Sequence, residues 1–189
     1  MFTRIARLLT CIAIALPAVF VWAEAPASQS ASQVIYLVRH GEKQRGPDTG
    51  SNPNLSEQGQ ARARQLAWML EEVGIDAIYS TDYIRTKETA RPLAELRNLS
   101  IQTYDPRKLK ELAEQLSGAG DRILVVGHSN TTPQLVALLG GQKGKAIRES
   151  DEYDRLYIVI RDRDQVTTLL QRYGADSTAK PATVNTKTP

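Results

Sequence analysis

The 189-residue sequence has one cysteine, Cys11, and two histidines, His40 and His128. A single cysteine excludes a disulfide framework and a cysteine-built zinc site. Two histidines mean that any chemistry needing an imidazole uses one or both of them. No basic stripe is interleaved with aromatics, so the footprint of nucleic-acid binding is missing. No internal repeat is present. With 41% hydrophobic and 24% charged residues, the chain has ordinary globular composition, which argues against a disordered tail protein or a fibre. The length suits one domain with a proper core.

The longest apolar run lies at the N-terminus. Arg4 and Arg7 precede an almost wholly apolar stretch from Leu8 to Ala23. Val21-Trp22-Ala23 places small or moderate residues where a signal peptidase reads, so a secretory signal cut after Ala23 is expected. The alternative, a retained anchor, needs about 20 apolar residues, and this run is shorter and broken by Pro17. Cleavage would remove Arg4, Arg7 and Cys11, leaving 22 basic against 21 acidic residues and a charge of +1 instead of +3. The mature chain would then have no stable membrane anchor and no cysteine, which suits a periplasmic or secreted location. The expected organisation is a signal over 1–23, a linker over 24–33, a domain over 34–173 and a disordered tail over 174–189.

Within the domain, strands alternate with helices. Val34–Val38 is a continuous apolar run, as in a strand buried on both faces. Ser56 caps a helix to about Val73, ended by Gly74. Strands are expected at Ile75–Tyr79, Ile101–Tyr104 and Ile123–Val126. Helices are expected at Tyr83–Leu96 (bent or interrupted near Pro92), Arg107–Leu116 and Thr132–Leu139. Leu156–Ile160 and Val166–Leu170 read as a closing hairpin. This order predicts an α/β fold, a three-layer α/β/α sandwich with an open, mostly parallel sheet.

Both histidines fall just past the carboxyl ends of predicted parallel strands, where open α/β sheets bind ligands. Arg39 is next to His40, and Gly41 leaves room for a ligand near the backbone. Arg85 opens the helix after the second strand. Guanidinium forks and a helix N-terminus both favour anions, so Arg39 and Arg85 together could hold a phosphoryl group.

These residues carry a family resemblance. Leu37-Val38-Arg39-His40-Gly41-Glu42-Lys43 resembles the signature of the histidine phosphatase superfamily, also called phosphoglycerate mutase-like. The similarity continues through Asn54-Leu55-Ser56-Glu57-Gln58-Gly59, Tyr79-Ser80-Thr81, Arg85-Thr86 and Glu88-Thr89-Ala90. Val126-Gly127-His128-Ser129-Asn130 is similar to the second histidine motif. The matches occur in family order over about residues 34–130, and the short spacers imply the minimal branch.

The resemblance implies that His40 is a nucleophile that becomes phosphorylated. A neutral imidazole can attack phosphorus near pH 7, and Arg39, Arg85 and a protonated His128 would stabilise the equatorial oxygens. It implies no metal and no cofactor. The substrate would be a small-molecule or envelope phosphomonoester. A general acid for the leaving oxygen is still required. Glu111 is the candidate, with Asp82 and Glu42 as further ones. Where many acid phosphatases of the superfamily carry Asp after the second histidine, this sequence has Ser129. Ser129 or Asn130 could instead bind phosphate, and a phosphohistidine substrate would need less acid help. Other readings are a phosphohistidine protein phosphatase, a non-catalytic phosphate binder, and a two-histidine metal hydrolase. A lipase elbow fails because Thr131 stands where Gly-x-Ser-x-Gly needs its second glycine. Specificity is expected from the loop Gly41–Asn54 and residues 141–155, where Lys43, Arg45 and Lys143 could add positive charge.

Overall fold

The computed structural model describes residues 32–177. The expected signal and all but the last two residues of the linker lie outside the described residues, as do residues 178–189 of the expected tail. The elements run β1 (Gln33–Arg39), α1 (Glu57–Leu70), β2 (Ala77–Thr81), α2 (Ile84–Arg97), β3 (Ile101–Tyr104), α3 (Leu109–Leu116), β4 (Arg122–Gly127), α4 (Thr131–Leu138), β5 (Arg155–Asp162) and β6 (Gln165–Arg172). The strands form one sheet in the order β3-β2-β4-β1-β5-β6. The first four strands in that row pair in parallel, and β5 and β6 close the other side as an antiparallel hairpin. This is the predicted three-layer α/β fold.

Alternation along the strands builds the two outer layers. Ile35, Leu37, Ile123 and Val125 face α3 and α4, packing on Leu112, Leu116, Leu135 and Val136. Val38, Ile78, Leu124 and Val126 face α1 and α2, packing on Leu66, Leu70, Ala90 and Leu93. The chain leaves β1 through α1 on one face and leaves β4 through α4 on the other. Adjacent strands whose helices depart to opposite faces open a crevice at their carboxyl ends.

Local chemistry sets several boundaries. The Ser56 hydroxyl accepts from Gly59 N–H at 3.2 Å, capping α1 as predicted. A 3-10 turn over Glu71–Val73 ends at Gly74, whose φ of 75° is left-handed. β2 begins two residues later than predicted. Asp76 instead stands before the strand, its carboxylate accepting from Asp121 N–H at 2.9 Å and Arg122 N–H at 3.1 Å. α2 is one continuous helix through Pro92, not an interrupted one. The proline removes one N–H from the ladder, while Ala90, Leu93 and Ala94 bury the helix against the sheet on both sides of it. Gln33, expected in the linker, opens β1 and donates to Leu116 O at 2.7 Å. Ala175, expected in the tail, accepts from Arg62 Nη2 at 2.9 Å.

The signature glycine Gly41 packs against Gly59 of α1. A Cβ on Gly59 would lie 2.1 Å from Glu42 O, and a Cβ on Gly41 would lie 2.9 Å from Gly59 O. The loop carrying His40 therefore rests on backbone that tolerates no side chain. Gly59→Ala is expected to destabilise the fold by about 1–3 kcal/mol through overpacking, read as a lowered urea midpoint. Unchanged stability would show that this approach is not a constraint.

Candidate active site

Sheet register brings the two histidines together. Arg39 of β1 is the partner of Gly127 of β4, and His40 N–H donates to Gly127 O at 2.9 Å. The next residues in each strand, His40 and His128, thus emerge side by side. Their ring centroids are 5.4 Å apart in an edge-on arrangement. They line a cavity of about 420 Å³ with Arg39, Arg85, Lys43, Arg107, Tyr83, Ser129, Asn130 and Glu149 among its walls.

His40 is 4% exposed. Its Nδ1 lies 2.7 Å from Gly41 O. A carbonyl only accepts, so Nδ1 carries the proton and Nε2 is a bare lone pair. Arg85 gives the same answer independently: its Nε–H donates to His40 Nε2 at 3.2 Å. Burial pushes the basicity of His40 well below the ordinary imidazole value, and the positive charges of Arg39 and Arg85 and the neighbouring His128 push it further. Near neutral pH it is an uncharged imidazole.

His128 is fixed through two threonines. The Thr86 hydroxyl lies 3.0 Å from Thr81 O and 2.9 Å from Tyr83 O. Its one proton goes to a carbonyl, so Thr86 Oγ1 accepts from Thr81 Oγ1 at 2.9 Å. Thr81 Oγ1 then accepts from His128 Nε2–H at 3.0 Å. His128 is therefore the Nε2–H tautomer, with Nδ1 left to take a proton. Burial and the charges of Arg85, Arg39 and Lys43 pull its pKa down to about 4. A phosphoryl dianion in the cavity would offset that repulsion and favour the imidazolium.

The two arginines differ in role. Arg85, in the first turn of α2, packs over the Tyr83 ring at 4.4 Å. The N–H of Ile84, at the same helix start, is capped by Asn52 Oδ1 at 3.0 Å, so the guanidinium and not that amide faces an incoming anion. Arg39, expected to contact phosphate, is largely engaged by the protein. Its Nη1 donates to Arg148 O and Glu152 O, each at 2.9 Å, and its Nη2 to Glu149 O at 2.7 Å. Its guanidinium also lies 3.9 Å from the Tyr153 ring centre. Arg39 thus holds the loop before β5 as a wall of the cavity. Arg39 Nε and Arg85 Nη1 are buried without hydrogen-bond partners among the described residues. Such orphan donors are costly unless an acceptor arrives.

The rest of the second motif segment is supporting structure. Thr89 Oγ1 accepts from Gly41 N–H at 2.9 Å and donates to Arg85 O at 2.7 Å, tying the two halves of the site. Glu88 accepts from Leu55 N–H at 2.7 Å.

The acid candidates fall elsewhere. Glu111 lies on the exposed side of α3, paired with Lys108 at 3.1 Å, and does not line the cavity. The helix that carries it packs its Leu109, Leu112 and Leu116 face inward, which turns Glu111 to solvent. Glu42 grips Arg62 at 2.7 Å, and Arg62 in turn donates to Tyr173 O at 2.7 Å. Asp82 pairs with Lys87 and lines a neighbouring cavity with Tyr83 and Asp105. Ser129 and Asn130 do line the site, as does Lys43. Arg45 and Lys143 do not. Arg107 and Glu149 are site residues that sequence reasoning missed. Arg107 follows β3 outside every motif. Glu149 belongs to the stretch expected to cover the crevice, but nothing in its sequence context singles it out. Among the described residues no group of three or more His, Cys, Asp or Glu side chains could hold a metal ion.

Thr81→Val removes the acceptor of His128 Nε2–H, at a cost of about 1–3 kcal/mol for the unpaired group. The imidazole is expected to shift toward the Nδ1–H tautomer, read by its nitrogen chemical shifts, while Thr81→Ser keeps the original form. An unchanged tautomer in Thr81→Val would break the threonine chain as its cause.

Residues 35–115 match the histidine phosphatase superfamily (branch 1). Over 96 residues the chain is 33% identical to the probable phosphoglycerate mutase GpmB of Escherichia coli and of Escherichia fergusonii. That stretch is 43% of this chain and 45% of those relatives, so the chain spans less than half of their length. The mycobacterial glucosyl-3-phosphoglycerate phosphatase shares the fold, with a TM-score of 0.57 at 14% identity over 77% of this chain and 100% of that one. So does the protein histidine phosphatase SixA complexed with tungstate, with a TM-score of 0.57 at 18% identity over 76% and 97%. The matched segment, which resembles the histidine phosphatase superfamily, holds Arg39, His40 and Arg85, and the sheet sets His128 beside them.

Proposed function

We propose that the protein is an exported, metal-independent phosphatase that hydrolyses phosphomonoesters through a phosphohistidine on His40. The observation that carries this reading is the bare Nε2 of a buried, uncharged His40 set against Arg85 and His128. His40 Nε2 attacks phosphorus, and the bond to the leaving oxygen breaks. Water then attacks the phosphohistidine, and the electron pair of the P–N bond returns to Nε2. Arg85 and the free donor of Arg39 hold the equatorial oxygens, and His128, protonated by the anion's arrival, adds a third charge.

A non-catalytic phosphate binder on the same fold would need only the cations. It would not need an imidazole whose tautomer two partners hold with the attacking nitrogen bare. The substrate class is a small-molecule or envelope phosphomonoester, reachable from an exported location.

The purified protein is expected to turn over p-nitrophenyl phosphate equally with and without EDTA, and His40→Ala to lose at least 1,000-fold, within the range expected for a lost nucleophile. Because the His40 basicity is depressed, the acid limb of kcat/KM should lie below pH 6.5, the ordinary imidazole value. Full activity in His40→Ala would overturn the mechanism, and loss with EDTA would favour a metal hydrolase.

Export has its own test. The mass of the N-terminus of the protein from the cell envelope is expected to correspond to a chain starting at Glu24. An intact Met1 terminus would instead support a retained anchor.

A further inference from the structure

We infer that Glu149 is the general acid of this site, delivering the proton to the leaving oxygen. The inference rests on the phosphatase reading above and assigns the one role that reading leaves open. Glu149 is the carboxylate that lines the cavity with His40, Arg85 and His128.

Its neighbours in the acidic inventory are engaged. Glu42 is held by Arg62, Asp82 by Lys87, Asp105 by Arg107 at 2.8 Å, Glu111 by Lys108, and Asp151 by Arg148 at 2.9 Å. Glu152 is buried against Arg155 at 2.7 Å, and Asp154 against Arg172 at 2.5 Å. Glu88 caps the Leu55 amide. The Glu149 side chain has no hydrogen bond or ion pair among the described residues, and it is exposed at the cavity wall. Its charge nevertheless acts on both Arg39 and Arg85.

Its placement is also built. Arg39 donates to the Glu149 carbonyl and to the carbonyls of Arg148 and Glu152 on either side. The same guanidinium that borders the nucleophile thus fixes the backbone bearing the acid. Arg155 holds the preceding segment through Lys145 O at 2.6 Å and Ala146 O at 3.2 Å.

The step balances without a further reactant. The P–N bond to His40 forms, the P–O bond to the leaving group breaks, and the leaving oxygen takes the Glu149 proton. In the second displacement the attacking water gives a proton back to the carboxylate, and His40 recovers its lone pair.

The test uses the full chain and two substrates of different leaving-group basicity. Glu149→Gln keeps size and polarity but cannot give up a proton. Its kcat/KM for glycerol phosphate, a poor leaving group, is expected to fall at least 100-fold, in the range of general acid catalysis. For p-nitrophenyl phosphate, whose leaving group needs no proton, the loss should stay below about 5-fold. Glu111→Gln should match wild type on both. Equal losses on both substrates, or none on glycerol phosphate, would overturn the assignment while leaving the phosphatase reading intact. Failure of the wild-type chain to hydrolyse either substrate would overturn both.

Discussion

The pairing of β1 with β4 is the constraint on which the site depends. Arg39 lies opposite Gly127, so each strand delivers a histidine at the same level of the sheet. A one-residue slip would send every side chain of a strand to the other face. Here the register is held by apolar residues that alternate between two buried layers, Leu37 and Val125 to one, Val38 and Val126 to the other. The hydrophobic effect that closes the core thereby also sets the spacing of the two imidazoles. Gly127 is part of this arrangement, since a Cβ there would meet Tyr104 Oη at 2.9 Å and Thr132 Oγ1 at 3.0 Å.

The electrostatics follow from that geometry. Two imidazoles, three guanidiniums and a lysine share one cavity with a single carboxylate, Glu149, so the site is a region of concentrated positive potential. Burial, reinforced by this positive charge, suppresses protonation of both histidines. For His40 this is what a nucleophile needs. For His128 the same field works against a role as imidazolium until an anion arrives, and so couples its charge to substrate binding. The cavity is thus poised for a group bearing two negative charges, and the orphan donors on Arg39 and Arg85 are the local expression of the same imbalance.

Much of this was legible in the sequence because the determinants are local. Strand runs, the Ser56 cap, Gly74 and the order of motifs each report their own few residues, and they predicted the layers, the strand ends and the four central side chains. The failures concern tertiary placement. Glu111 has a motif-like position, but the amphipathic period of α3 buries leucines and leaves it beside Lys108 in solvent. Pro92 signals a break that the buried face of α2 overrides. Arg107 reaches the cavity from the turn after β3, where it pairs with Asp105, and Glu149 from a connection whose path is set by a contact far away in the chain. Glu149 arrives because Arg39, 110 positions earlier, binds its carbonyl.

That long-range contact changes how the Arg39-His40-Gly41 motif should be understood. Arg39 is 2% exposed, with three of its hydrogen bonds directed to backbone carbonyls of one loop. A charged side chain buried in this way is retained only where its donors are satisfied and its charge is used. Here the carbonyls satisfy three of the five guanidinium N–H groups, and Nε is left without a partner among the described residues. The order of this loop therefore depends on the same side chain that borders the cavity. Replacing Arg39 by lysine would preserve the charge but lose the fork that engages three carbonyls at once, so the motif specifies the wall of the site as well as its charge. Lys143 and Arg45, expected to add positive charge near the crevice, do not line the cavity: the Lys143 backbone carbonyl accepts from Tyr157 Oη at 3.1 Å, and the Arg45 side chain donates to Ser150 O at 2.5 Å. The loop around residues 143–153 is held in place beside the cavity by arginines from β1 and β5.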